Sequence, residues 1–260
     1  VTARDRVAAL LSGFGAGLAG GLLGVGGGIV LVPLLTGRFR LIQHTAHGTS
    51  LAVIGATALT SLLIYGTHAT VAWRTALWVA LASIVTVRLG SRLARRLPAW
   101  ALARAFSILL VMVAARLLWK PPPPGPPIPS ALTAPVDLGI GALTGLLAGF
   151  MGIGGGAVAV PAFTLVLGMS QRLAQGTSLA VILATAPAGT IENARHGHVA
   201  WPLVPMLAIG AACGGPLAAL VAHRLPQETL ARIFAVFMVA TAIHMWVRSR
   251  QPAKPARTST

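Results

Sequence analysis

One block of sequence occurs twice in this chain at a fixed spacing. Gly26-Gly27-Gly28 recurs as Gly154-Gly155-Gly156, 128 positions on (154 − 26). Gly48-Thr49-Ser50-Leu51-Ala52-Val53-Ile54 recurs at the same distance as Gly176-Thr177-Ser178-Leu179-Ala180-Val181-Ile182. The spacing still holds between Val71-Ala72-Trp73 and Val199-Ala200-Trp201, and between Arg96-Leu97-Pro98 and Arg224-Leu225-Pro226. Such a chain is expected to fold as two like halves, each with one glycine-interrupted apolar stretch at a matching place. In membrane carriers a pair of interruptions of this kind points to a binding site between the halves.

Composition sets the solvent. The chain has 260 residues, 55% of them hydrophobic and 9% charged, and a mean hydropathy of +0.81, whereas soluble domains carry about a quarter charged residues. Several runs nearly free of charge reach the roughly 20 residues a helix needs to cross the hydrocarbon of a bilayer. Strands of a membrane barrel would alternate polar and apolar positions, which these runs do not. Twenty Lys and Arg face four Asp and Glu, for a net charge of +16. They gather at the ends of apolar runs, as in Arg38/Arg40, Arg92/Arg95/Arg96, Arg116/Lys120 and Arg248/Arg250, where basic side chains anchor helices at the headgroups. With no basic stripe or nucleic-acid-binding motif, the expected partner is the lipid bilayer and not nucleic acid.

The apolar runs fall at 7–35, 46–65, 71–89 and 102–119, then at 136–167, 173–191, 201–221 and 230–247. They predict an all-α integral membrane protein of about eight transmembrane helical segments in two homologous four-segment repeats, with a glycine-broken first helix in each. The repeats occupy 1–120 and 136–248. Residues 121–135 form a Pro-rich linker that lacks most backbone donors and favours polyproline II, and 249–260 a basic tail expected to be disordered. Arg4 and Arg6 ahead of an apolar run look like a secretion signal, but 17–33 has its counterpart at 145–161, so the stretch reads as part of the fold. If all eight segments cross, each face receives ten basic residues. If the two glycine-broken segments dip in and return, the halves become inverted and the counts become 14 and 6. Both topologies fit the pattern.

The glycine runs carry the chemistry. Each glycine costs a helix interior about 1 kcal/mol relative to alanine, so a break is expected, with a second half-helix starting near Gly28 and near Gly156. Unpaired N–H groups and the positive end of the helix dipole then face into the bundle, which is the makeup of an anion site. No Lys-Ser/Thr follows, unlike a nucleotide loop. The hydroxyls of Thr49, Ser50, Thr177 and Ser178 would add donors without burying a charge; their alternative role is bonding within or between helices. The candidate substrate-binding set is therefore Gly26, Gly27, Gly28, Thr49, Ser50, Gly154, Gly155, Gly156, Thr177 and Ser178, with His47, Gln175, Glu192 and Asn193 as accessory residues. Glu192 is expected to pair with Arg195. Gly13/Gly17/Gly21 and Gly141/Gly145/Gly149 have the spacing of close helix packing instead. One cysteine, Cys213, excludes an internal disulfide and a cysteine-built metal site, and the scattered histidines lack zinc-site spacing, so no metal or cofactor is expected. Ser50 or Ser178 with His47 or His196 forms no hydrolase motif, so no enzyme is expected.

Taken together, Gly-Leu-Leu-Gly-Val-Gly-Gly-Gly with Pro33, Gly-Ile-Gly-Gly-Gly with Pro161, the two Gly-Thr-Ser-Leu-Ala blocks and the Gly197-His198-Val199-Ala200-Trp201 turn resemble the sulfite exporter TauE/SafE family, also called the 4-toluene sulfonate uptake permease family. The resemblance covers about 7–247. It implies a multi-pass transporter of small anions, with sulfite, sulfonates or sulfur-containing organic acids as substrates and alternating access between the repeats; an anion channel is the nearest alternative. The family often has an acidic residue before the tryptophan of that turn. Here Ala72 and Ala200 stand there, so no carboxylate role is carried over. Alanine and arginine richness points to a bacterial source and hence to the bacterial plasma membrane, and nothing in the pattern excludes a homo-oligomer.

Overall fold

The structure, a computed structural model, describes residues 3–93, 99–119, 130–151 and 154–249. It is all-helical over these residues: α1 (Ala3–Leu23), α2 (Gly28–Gly37), α3 (Gln43–Thr67), α4 (Trp73–Leu93), α5 (Ala99–Trp119), α6 (Ser130–Met151), α7 (Gly156–Leu165), α8 (Gln171–Arg195), α9 (Val204–Arg224) and α10 (Gln227–Ser249). α2 and α7, and likewise α3 and α8, start and stop at the sequence spacing of the duplicated blocks. α6 begins inside the stretch read as linker, while 120–129 and 250–260 lie outside the described residues.

The runs 7–35 and 136–167 each break into two helices at their glycine runs, so the eight apolar runs hold ten helices among the described residues. The reason is local. Gly24, Gly26 and Gly27 hold φ of 70°, 71° and 85°, and Gly154 and Gly155 hold 78° and 73°, a left-handed region open to glycine and costly to other residues. The chain reverses there. A Cβ on Gly27 would meet the carbonyl of Ala16, and one on Gly155 would lie 3.0 Å from the carbonyl oxygen of Thr144, so α2 runs back along α1 and α7 back along α6.

Small residues decide which helices meet. A Cβ on Gly13, Gly17 or Gly21 would strike the backbone of Leu207, Ala211 or Gly215, so α1 lies directly on the main chain of α9. Gly141 and Gly145 seat α6 on α4 in the same way, against Val79 and Ser83. Residue numbers rise together in both pairs, so each pair is parallel. α3 and α8 cross at the centre in opposite directions, with Gly55 facing Ala186 and Gly189 facing Leu51. α5 packs on α10, where the Arg104 guanidinium lies 5.8 Å from the Trp246 ring.

The outside of this bundle is apolar. Leu77, Leu81, Val85 and Leu89 line one face of α4 at helical spacing, each about half exposed or more, and α3, α9 and α10 add Leu63, Ile209, Val236 and Ile243. Water would not tolerate so continuous a surface on a monomer; lipid would. Trp73, Trp119 and Trp201 are exposed at helix ends, where an aromatic belt sits. Among the described residues, α1, α3, α9 and α10 are long and apolar enough to cross a membrane. α4 and α8 are long enough but carry arginines and other polar residues, many of them turned toward neighbouring helices. The packing predicts that Gly17→Val, which places side-chain atoms inside the main chain of α9, lowers stability by about 1–3 kcal/mol or prevents folding. Gly15→Ala, which faces open space, should match or exceed the parent protein; thermal unfolding in detergent compares the two.

Candidate functional site

Both chain reversals end at the same place. A Cβ on Gly156 would lie 2.6 Å from Cα of Val25 and 2.8 Å from the Gly24 carbonyl oxygen, so the start of α7 rests on the break between α1 and α2. Ile54 and Ile182 reach both breaks: Gly26 has Ile54 Cβ and Ile182 Cγ2 as its nearest neighbours, and Gly154 has the same two side chains. These isoleucines close the duplicated Gly-Thr-Ser-Leu-Ala-Val-Ile block and are fully buried.

Gly27 and Gly155 cap α2 and α7, with no side chain bonding to either helix start. The carbonyl of Gly27 accepts from Val30 and Leu31, and that of Gly155 from Val158 and Ala159. Among the described residues, the N–H groups of Gly26, Gly27 and Gly28 make no backbone hydrogen bond, and neither do those of Gly155 and Gly156. All are buried. Two helix N-termini with free donors thus meet at the centre of the bundle.

α8 supplies the side chains around the first break. Cα of Gln175 lies 2.6 Å from where a Gly24 Cβ would stand, and Ser178 and Ile182 follow on the same helix face at positions three and seven further on. Gln175 and Ser178 are wholly buried; the Gln175 Nε2 and the Ser178 hydroxyl have no partner. Tyr65 holds this corner, its hydroxyl 3.1 Å from both the Gly21 carbonyl and Gln175 Oε1. On α3 the same spacing gives His47, Ser50 and Ile54, and the Ser50 hydroxyl is likewise buried without a partner. Gly152, the counterpart of Gly24, lies outside the described residues.

The Gly-Thr-Ser block resolves into three roles. A Cβ on Gly48 would strike the His198 carbonyl, and one on Gly176 the Thr70 carbonyl, so each glycine lets a loop of the other half settle on the helix. The following threonine fastens that loop. Thr49 Oγ1 accepts from the Ala200 N–H at 2.9 Å, and Thr177 Oγ1 from the Ala72 N–H at 3.0 Å. Only the serine is left with a free hydroxyl. Thr49 and Thr177 are therefore committed to the loops, while Gly26–Gly28, Gly154–Gly156, Ser178 and Gln175 come together.

Glu192 and Asn193 sit in the last turn of α8, about 15 Å along the helix from Ile182 at 1.5 Å per residue. Glu192 pairs with Arg92 Nε at 3.8 Å and not with Arg195, because α4 runs beside α8 and brings Arg92 to the carboxylate. Asn193 donates to the Gly189 carbonyl. Sequence reasoning missed Tyr65, Ile54 and Ile182 as parts of this centre. Signals were present: Tyr65 is the one tyrosine of the chain, and both isoleucines belong to the duplicated block.

The sulfite exporter TauE/SafE family model matches residues 9–245. The chain belongs to the sulfite exporter TauE/SafE family. It is 31% identical to a probable membrane transporter protein of Xylella fastidiosa strain Temecula1, over 96% of this chain and 98% of that one. It is 28% identical to the probable membrane transporter protein YunE of Bacillus subtilis, over 86% of this chain and 91% of that one. MJ0441 of Methanocaldococcus jannaschii is 26% identical over 77% of this chain and 80% of that one, and also bears the name probable membrane transporter protein. No solved structure matches. Family and relatives make this a membrane transporter and not an enzyme.

The division of labour in the block predicts opposite outcomes for neighbouring substitutions. Thr49→Val or Thr177→Val leaves a loop N–H without its acceptor and should cost about 1–3 kcal/mol. Ser178→Ala removes a hydroxyl that bonds nothing and should leave the unfolding midpoint unchanged or raised. Thermal unfolding of the purified variants reads both.

Proposed function

We propose that this protein carries small anions across a bacterial plasma membrane, with sulfite, sulfonates and other sulfur-containing organic acids as the substrate class, at a site between its two halves. The observation that supports this most is the group of buried, unbonded N–H donors at Gly26–Gly28 and Gly155–Gly156, beside the free Ser178 hydroxyl and Gln175 amide. Buried donors without partners are rare because each costs about 1–3 kcal/mol. An oxyanion with several acceptor oxygens satisfies them together, favoured by two helix N-termini. Neutral donors also hold an anion without a permanent counter-charge in the membrane.

The same geometry supports a route of access. Counting α1–α2 and α6–α7 as hairpins leaves three crossings per half: α3, α4 and α5, then α8, α9 and α10. An odd number inverts the second half relative to the first, in keeping with the opposite directions of α3 and α8. Fourteen basic residues then gather on the face that receives Arg4, Arg38, Arg92 and Arg248, with six on the other, and the positive-inside rule assigns the richer face to the cytoplasm. The Thr49–Ala200 clamp lies toward that face and the Thr177–Ala72 clamp toward the opposite one. Release of one while the other holds, with Ile54 or Ile182 swinging aside, exposes the site to one side at a time.

Uptake of labelled sulfite into proteoliposomes tests this reading. Flux should saturate with substrate and be competed by unlabelled sulfonate. Ser50→Ala/Ser178→Ala should lower it about 10- to 100-fold, as expected for lost hydrogen bonds to a charged ligand, and Gly27→Leu/Gly155→Leu should abolish it. Wild-type rates in the double-leucine variant would remove the site assignment, and flux that never saturates would indicate a channel.

A further inference from the structure

A second polar group, outside the site above, joins it to the face opposite the arginine-rich one. His223, in the last turn of α9, places Nδ1 2.8 Å from the Ala219 carbonyl and Nε2 3.1 Å from Thr70 Oγ1. The Thr70 hydroxyl also points at the Tyr65 carbonyl, 2.8 Å away. His223 packs edge-on against the Tyr65 ring at 4.7 Å and against the exposed His68 ring at 4.2 Å. Tyr65 continues the string to Gln175 and the first break.

Counting protons at this cluster gives two states. A carbonyl only accepts, so the contact with the Ala219 carbonyl requires a proton on Nδ1, and the Tyr65 carbonyl, which already accepts from the Thr70 N–H at 3.0 Å, takes the Thr70 hydroxyl proton as its second donor. When Thr70 donates to Tyr65, its lone pairs face Nε2, and all the hydrogen bonds close only if Nε2 is protonated too. When the ring is neutral, the Thr70 hydroxyl turns its proton to Nε2 and leaves the Tyr65 carbonyl with the Thr70 N–H alone. Both states are hydrogen-bonded, and one hydroxyl rotation separates them.

We propose that His223 binds a proton that is co-transported with the anion; this rests on the transport reading above. His68 connects the ring to water. The proton adds to Nε2, forming one N–H bond and breaking none within the protein, and leaves by the same atom. The other ionisable groups facing the ring are Tyr65 from α3, His68 just after it and Arg172 from α8; Arg224 follows it on α9, and Glu228 of α10 is paired with Arg232. The switch acts on a loop already tied to the site, since the Thr70 carbonyl rests on Gly176 and Ala72 is clamped by Thr177. An imidazolium on the string favours an anion at its inner end, so each ligand raises the affinity for the other. At the duplicated position the sequence has Arg95, whose guanidinium stays charged and exchanges no proton. Of these two duplicated positions, only the one held by His223 can exchange a proton.

Two measurements decide it. Proteoliposomes at clamped membrane potential receive labelled isethionate, whose sulfonate charge is constant near neutral pH, and in parallel labelled sulfite. One proton per anion makes accumulation change about tenfold per unit of imposed pH difference. His223→Gln and Thr70→Val should exchange labelled for unlabelled isethionate yet lose accumulation driven by the gradient. Ring-labelled nitrogen spectra of the detergent-solubilised protein should contain one histidine, missing in His223→Gln, that gains a proton between about pH 8 and pH 5. A His223→Gln protein that follows the gradient as wild type does, or a His223 ring neutral across that range, overturns the proposal. If wild type moves neither anion, the transport reading fails, and the spectra still decide whether His223 takes up the proton.

Discussion

The arrangement depends on five residues held at positive φ, Gly24, Gly26, Gly27, Gly154 and Gly155. A side chain at these positions would strain the backbone and, at Gly27, enter the carbonyl of Ala16. Because the chain reverses there, α2 and α7 begin in the middle of the bundle and not at its surface. Their first N–H groups are therefore buried. A soluble protein would cap them with a side chain; neither Gly27 nor Gly155 has one to offer. The structure retains two unsatisfied donor groups facing each other, the physical situation in which an anionic ligand is most favoured.

The rest of the molecule keeps those two ends together. Small residues bring α1 onto α9 and α6 onto α4 until main chains touch, which is how helices associate where lipid is as apolar as the side chains. Gly48 and Gly176 admit the loops of the opposite half, and Thr49 and Thr177 fasten them with one hydrogen bond each. Each such bond is modest, about 1 kcal/mol net. Two of them, one toward each end of the bundle, suit the alternating release proposed above better than a permanent lock would.

Much of this was legible in the sequence. The spacing of the two glycine runs and the starts of the inner half-helices near Gly28 and Gly156 could be read from residue type alone, because few other sequences produce such a break. Whether the broken segments cross or turn back could not be read from the sequence, because hydropathy does not register a reversal within an apolar run, whereas positive φ at consecutive glycines does. The Gly-Thr-Ser block could not be apportioned from sequence, since a hydroxyl that clamps a loop and one buried without a partner look alike in one dimension. Nor could Glu192 be matched to Arg92, whose partnership depends on α4 lying beside α8. His223 and Thr70 are 153 positions apart, and only the packing of α9 on α3 brings them together.

The central claim is that the two glycine breaks form one anion site. Crystals of the purified protein grown with selenite, a heavier oxyanion of the same shape as sulfite, test it directly by anomalous scattering. A selenium peak is expected between the starts of α2 and α7, with oxygens in hydrogen-bond reach of the N–H groups of Gly26–Gly28 or Gly155–Gly156 and of Ser178. A selenium peak elsewhere in the bundle, with the breaks closed on each other by direct bonds, would contradict it.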